Sequence, residues 1–394
     1  MNLKPLQQKN INEIIHNFTP NWFTLNMGTG LAFLTMHNIV KNLFFAQTIV
    51  IEAFWIIDML FFLLFSSLFI LRIIKFPSSI KPLLHHPVQS MFLGAIPMAM
   101  VPIIEGFVLF GPMFFGNISL QIALYLWYLD VALAIVIGLF IPYFMFTIQK
   151  NHTLQNMTAV WLLPIVASEV AASAGGLLVS HYSGFTAEIM LFISYILWGL
   201  STPLAMSVLV ILFLRLVTHK LPHKDMAVTS WLTLGPLGTG TLSLLLLGSA
   251  SKTVLMHTEL SYLSNYLQAF GLIIGLLIWG YGLWWYAMSW VITLKFFKEG
   301  LPFSMGWWAF TFPVGVYTAA TFQIWHLVQF RFFEVLAIIF SIQLVIFWLI
   351  IFSKTIKGIW SGALFYAPCI NETNINGNRS QDNIKIEKFH DKTN

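Results

Sequence analysis

Few residues in this chain could do chemistry. Glu169 stands inside an apolar run, five residues after Pro164, and Ser173 and Gly176 follow it at i+4 and i+7. On a helix these three share one face. A carboxyl so placed either moves a proton or locks helices together through hydrogen bonds. Left ionised, it would repel any anion nearby. Hydroxyls at Thr29, Ser173, Thr239, Thr241 and Thr311 either bond back to their own helix or offer a donor to a polar guest. Backbone amides near Gly28, Gly235 and Gly315 are further donors if the helix is broken there.

The other candidates are weaker. Glu105 lies three residues past Pro102, Asp130 follows LWYL, and Glu52 and Asp58 come early in their apolar run. We expect structural or interfacial roles for these acids. The pair His85-His86 has no carboxylate or further His at ligand spacing, so no metal site is expected. The glycine strings GTG and GPLGTG lack the Lys-Ser/Thr of a phosphate loop and read as close-packing or pore glycines. Cys369, the single Cys, excludes a disulfide framework and a Cys cluster. Paired intramembrane aspartates, HExxH and a serine nucleophile with a partner His are all missing, which leaves a membrane-embedded enzyme a remote reading. No cofactor is expected.

The elements that must position these residues follow from composition. Only 9% of the 394 residues are charged and 58% are hydrophobic, against roughly 25% charged in soluble chains. Such a surface fits lipid rather than water. Apolar runs of spanning length predict ten helices: 20–40, 49–71, 87–111, 119–148, 158–180, 187–214, 227–250, 260–294, 303–326 and 333–353. The eighth is long enough to tilt or to run past the bilayer.

Basic residues orient these helices. With the N-terminus inside, 17 of the 20 Lys and Arg fall in cytoplasmic segments, and only Lys41, Lys252 and Arg331 fall outside. That bias predicts an even helix number and two cytoplasmic termini. Basic residues are also nearly absent from the segment centres, so an anion crossing here would meet weak donors and bind loosely.

Proline divides most segments into two sets, with Pro142 near the end of the fourth segment and Pro203 within the sixth as exceptions. The odd ones carry Pro20, Pro97 and Pro102, Pro164, Pro236 and Pro313, and most of the tight glycine clusters. A proline inside a helix frees the carbonyl four residues earlier, which is costly against lipid. Broken helices therefore belong inside, around a cavity, and unbroken ones outside. Five inner–outer pairs are predicted.

The odd segments also carry recognisable strings: FTPNWFTLNMGTG (18–30), HPVQSMFLGAIPMAM (86–100), WLLPIVASEVAASAGGLL (161–178), LGPLGTG (234–240) and MGWWAFTFPVGVYTAAT (305–321). In this order they resemble the tellurite-resistance/dicarboxylate transporter family, which spans tellurite-resistance proteins, malic acid permeases, sulfite efflux pumps and plant slow-anion channels. The resemblance covers residues 18 to about 368.

The resemblance implies an all-α integral membrane fold. Ten transmembrane helices would form five helical hairpins with quasi-five-fold symmetry around a central pore, the inner ones kinked at Pro97, Pro164, Pro236 and Pro313. It implies a homotrimer with one pore per subunit. It also implies a phenylalanine plug from the ninth helix, which falls on Phe312 or, second, on Phe310. The expected function is transport of a C4-dicarboxylate (malate-type) or sulfite. The alternative is a passive channel for chloride or nitrate. Glu169, Ser173, Thr29, Thr239 and Thr311 are the expected pore-lining or proton-coupling residues. The expected partners are a small anion and membrane lipid, with no nucleic acid. Residues 1–17 read as a cytoplasmic segment, 18–368 as the membrane domain and 369–394 as a polar disordered tail. The compact tails suggest a bacterial inner membrane.

Overall fold

Each of the ten apolar runs becomes one long helix. The computed structural model describes residues 5–40, 45–150 and 152–370, so most of the expected tail lies outside the described residues. The helices are α1 (Phe23–Val40), α2 (Phe45–Lys75), α3 (Ala95–Leu109), α4 (Ile118–Thr147) and α5 (Leu162–Leu178). They continue as α6 (Gly184–His219), α7 (Leu234–Val254), α8 (Ser264–Lys298), α9 (Phe312–Val328) and α10 (Arg331–Trp360). Among the described residues there is no strand. Eight helical stretches are long and apolar enough to cross a bilayer; α1 and α9, with 18 and 17 residues, fall short of that test. The longest helix is α6, at 36 residues, with α8 one residue shorter. Its polar ends at Thr186, Thr218 and His219 continue the helix past the apolar run that marks it in the sequence.

Burial alternates along the chain. Every residue of α5 except Leu177 is buried. By contrast α2 exposes Leu60, Leu63, Leu64 and Ile70, and α10 exposes Ile342, Ile346 and Leu349. Exposed branched apolar side chains suit contact with lipid, where a helix satisfies its own backbone. The even helices thus form an outer layer and the odd helices an inner one.

The inner helices close a ring: α1 meets α3, α3 meets α5, α5 meets α7, α7 meets α9, and α9 returns to α1. A glycine allows each approach. A Cβ on Gly30 would lie 2.3 Å from Pro102, on Gly94 2.4 Å from the Leu163 carbonyl, and on Gly176 2.9 Å from Leu246. On Gly238 it would lie 2.7 Å from the Tyr317 amide, and on Gly315 2.4 Å from Leu31.

The prolines sit at a change of helix type. A 3-10 segment precedes each inner helix: Pro20–Trp22, Gln89–Gly94, Ala159–Trp161, Lys224–Thr233 and Met305–Phe310. Pro97, Pro164 and Pro236 are third in their α-helices and Pro313 is second. The bend expected at these four therefore takes the form of a 3-10-to-α junction in the first turn. Proline is least disruptive there, because its missing N–H would have had no α-helical partner. Pro102 stands within α3.

Outer helices are pinned to inner ones by tryptophan. The indole N–H of Trp55 (α2) donates to the Ile103 carbonyl at 3.3 Å, Trp127 (α4) to Ala171 at 2.9 Å and Trp198 (α6) to Gly240 at 3.0 Å. Trp279 (α8) donates to the Thr321 hydroxyl at 2.9 Å, and Trp348 (α10) to Thr29 at 3.1 Å. Each even helix thus bonds to the following inner helix, and α10 bonds back to α1.

Candidate functional site

The inner ring encloses cavities in series. One, of about 200 Å³, is lined from all five inner helices, including Leu31, Val101, Val170, Leu246 and Val316. A smaller one, about 30 Å³, lies among the opening turns of the same helices and their 3-10 leads, beside Met27, Phe92, Leu163, Leu232 and Ala309. That volume holds one or two waters. A third, about 340 Å³, shares Phe92, Val160, Thr229, Met305 and Gly306 with the second and widens toward Asn21, Gln89 and Asp225.

Phe312 is the one residue on the walls of both the first and the second cavity. It opens α9 with Pro313 next to it, and it is 4% exposed. Its side chain therefore borders both spaces. Phe310 lines none of the three cavities; it packs against Trp231, Trp307 and Phe347. Two residues of spacing separate a ring on the axis from a ring in the helix packing.

The structure separates the other expected residues. Ser173 lines the large cavity, with its hydroxyl donated to the Val170 carbonyl at 2.7 Å. Thr29 accepts from Trp348, and Thr311 donates to the Trp308 carbonyl at 2.8 Å. Neither lines any of the three cavities: the Thr29 hydroxyl is tied to α10, and Thr311 bonds back to the carbonyl three residues earlier. Thr241 likewise bonds to Leu237 and Gly275.

Glu169 faces helices rather than the axis. It is fully buried; its Oε2 accepts from Thr202 of α6 at 2.8 Å, and its Oε1 lies 2.5 Å from the Thr239 hydroxyl of α7. Thr239 has one proton and a second acceptor, the Gly235 carbonyl at 2.7 Å. A proton on Glu169 satisfies both contacts: the carboxyl donates to Thr239, which donates to Gly235. Ser243 adds a bond to the Glu169 carbonyl at 2.9 Å. This cluster ties α5, α6 and α7 together. Ser173 and Glu169, four residues apart, thus serve different surroundings.

Of the structural and interfacial roles expected of it, Asp58 takes the structural one. It is fully buried in α2 and bound by Asn26 of α1, whose amide donates to its carbonyl at 2.8 Å and its Oδ1 at 3.1 Å. Asp130 is also fully buried, with neither carboxyl oxygen hydrogen-bonded among the described residues. Both acids stand three residues after a pinning tryptophan, in WIID (55–58) and WYLD (127–130), and Ser201 holds the same place in WGLS (198–201). This spacing was a legible signal of the repeat that proline counting does not contain.

Three titratable residues line the large cavity: Glu105, His37 and His326. Glu105, expected in a structural or interfacial role, thus lies on the cavity wall. No Lys or Arg lines any of the three cavities.

At the end where the 3-10 segments gather, Arg72 is fully buried. It donates to the Phe18 carbonyl and to the Ser79 hydroxyl at 3.0 Å, and lies 3.8 Å from Cys369 Sγ. Burial, and then the Arg72 charge, hold the His16 imidazole below its ordinary range. Arg72 thereby joins the segment before α1 to the segment after α10.

A ring of inner helices enclosing cavities, inside an apolar outer layer, defines an integral membrane transport protein. The chain belongs to the voltage-dependent anion channel family, whose profile matches residues 17–356. This is the family anticipated from the five odd-segment strings, and the chain is an anion transporter. It is 36% identical over 347 residues to a sulfite efflux pump of Arthroderma benhamiae, covering 87% of this chain and 91% of that protein. It is 31% identical over 353 residues to an uncharacterized transporter of Methanocaldococcus jannaschii, covering 89% and 97%. It is 23% identical over 367 residues to a malic acid transport protein of Schizosaccharomyces pombe, covering 92% and 82%. These relatives are fungal and archaeal, and they give no support to the bacterial membrane suggested by the tails.

Proposed function

We propose that anions cross through the ring of inner helices, past Phe312 as a gate. The observation that carries this is the shared position of Phe312 on the walls of two cavities, each lined from all five inner helices or their leads. A bulky apolar ring in a narrow path blocks it by exclusion and dewetting. The first substrate is sulfite, supported by the identity to sulfite efflux pumps; a C4-dicarboxylate is second, supported by the more distant malic acid transport protein. Passive passage of inorganic anions is a further reading. It is favoured by cavity walls free of Lys and Arg, which bind anions weakly and release them fast.

Five glycine contacts and five tryptophan bonds support a quasi-five-fold arrangement of five hairpins. The basic-residue bias supports cytoplasmic termini, which puts the large cavity on the side away from the cytoplasm; a plasma membrane is the proposed location. The homotrimer rests on the family resemblance, and native mass spectrometry tests it. Glu169 acts in this reading as a clamp between helices.

The test is flux from liposomes with sulfite, malate, succinate, nitrate and chloride. Phe312→Ala is expected to raise flux about tenfold or more, and Phe310→Ala to leave the path closed. Equal flux in Phe312→Ala and wild type removes Phe312 as gate.

A further inference from the structure

The large cavity holds a carboxyl to which the pathway gives no task. Glu105 of α3 lines it. Among the described residues no hydrogen-bond donor or cation meets its carboxyl. The other deep acids lie elsewhere: Asp58 is bound by Asn26, Glu169 by Thr202 and Thr239, and Asp130 is sealed, and none of these three lines a cavity. Among the described residues Glu105 is the one acid lining the large cavity.

Its surroundings bound what it can do. His37 from α1 and His326 from α9 line the same cavity, while α5 and α7 bring Ser173, Leu242 and Leu246. Of the outer helices packed on α3, α2 carries the enclosed Asp58 and α4 the enclosed Asp130. The His37 ring stands edge-on to Phe110 at 5.1 Å and the His326 ring beside Trp325 at 4.7 Å. Glu105 is the eleventh residue of its helix, and both histidines are the fifteenth of theirs. Gly30 meets Pro102 and Gly315 meets Leu31; Glu105 lies three residues past its contact, His37 seven and His326 eleven, so the carboxyl is about 6 Å or more closer to the level of Phe312. The acid is therefore the deeper ring of charge, met at the narrower end of the cavity.

We propose that Glu105 determines which anions cross this cavity. As a neutral acid it donates its O–H to an anion's oxygen. As a carboxylate it repels the anion across a few ångströms of low dielectric, and a dianion twice as strongly. Flux then falls as pH rises, and monoanions pass faster than dianions. The inference rests on the proposed path through this cavity.

Nitrate separates the protein's titration from the substrate's, because it stays a monoanion throughout. Nitrate flux from liposomes is measured with pH on both sides set at about 8 and then at about 4.5, spanning the imidazole and carboxyl ranges. Wild type is expected to rise about tenfold or more on acidification. Glu105→Gln is expected to show the high acid-side flux at both pH values, within about twofold, since the amide keeps a donor and cannot ionise. Glu105→Asp and the double variant His37→Gln/His326→Gln are expected to keep the rise. A flat wild-type profile overturns the proposal whether or not the variants fold. So does a full rise in Glu105→Gln, or its loss in the histidine double variant. Phe312→Ala, run alongside, tells the two readings apart. If it opens the path while any overturning result holds, only the role of Glu105 fails; if it leaves flux unchanged, the gate reading fails too.

Discussion

The spaces on the two sides of Phe312 are built from the same five helices and differ in kind. The large one is lined by a carboxyl and two imidazoles. The small one offers two hydroxyls, Thr24 and Thr229, and is otherwise apolar. The difference teaches a division of labour along one path. On the proposed path, size selects where the inner helices begin and charge selects where they end.

The sharpest way to break this comparison is to add the same bulk on each side. Ala309→Leu puts three carbons into a space of about 30 Å³, and flux is expected to fall about tenfold or more. Ala319→Leu adds them to about 200 Å³, and flux is expected to stay within about twofold. Equal losses in liposome assays would mean that the two spaces are not different filters.

The frame holding both spaces gives the next effect. Gly238→Ala sets a methyl 2.7 Å from the backbone of Tyr317, where neither chain has a flexible end to yield. A loss of about 1–3 kcal/mol is expected, read as a lower melting temperature in detergent.

Glu169 sharpens the contrast between acids on and off the path. Glu169→Leu strands Thr202 and is expected to cost about 2 kcal/mol. Glu169→Gln, which keeps a donor and an acceptor, is expected to cost under about 1 kcal/mol and to leave the pH profile of nitrate flux unchanged. A profile flattened by Glu169→Gln would place this acid on the path after all. The smallest effect is expected at Trp127→Phe, which removes one bond to Ala171 and about 1 kcal/mol, with flux unaltered.

The layers were legible from the chain because lipid is an unforgiving solvent. Unbroken runs of Leu, Ile and Phe in α2 and α10 could face hydrocarbon, and glycine and proline in the odd segments could not. The junctions at Pro97, Pro164, Pro236 and Pro313 were legible as positions; their 3-10 geometry was not, since proline at a helix start and proline in a helix interior read alike. The site divided in the same way. Phe312 was singled out by its string, but only its place between two cavities separates it from Phe310. Thr29 was indistinguishable in sequence from a lining hydroxyl, because its partner Trp348 is set by packing.

What the amino acids determined unaided is a ten-helix membrane protein, sorted into inner and outer helices and tilted toward anions by its strings. Burial of apolar surface and satisfaction of backbone groups act locally, so they can be read along one chain. Which acid faces the path is another matter. Glu105, Asp58, Asp130 and Glu169 are alike as sequence, each a carboxyl in an apolar run. Only the rotation of each helix against its neighbours sends one to a cavity and the others to Asn26, to a sealed interface, or to Thr202 and Thr239. Rotation is the sum of many contacts between distant segments, and no single segment encodes it.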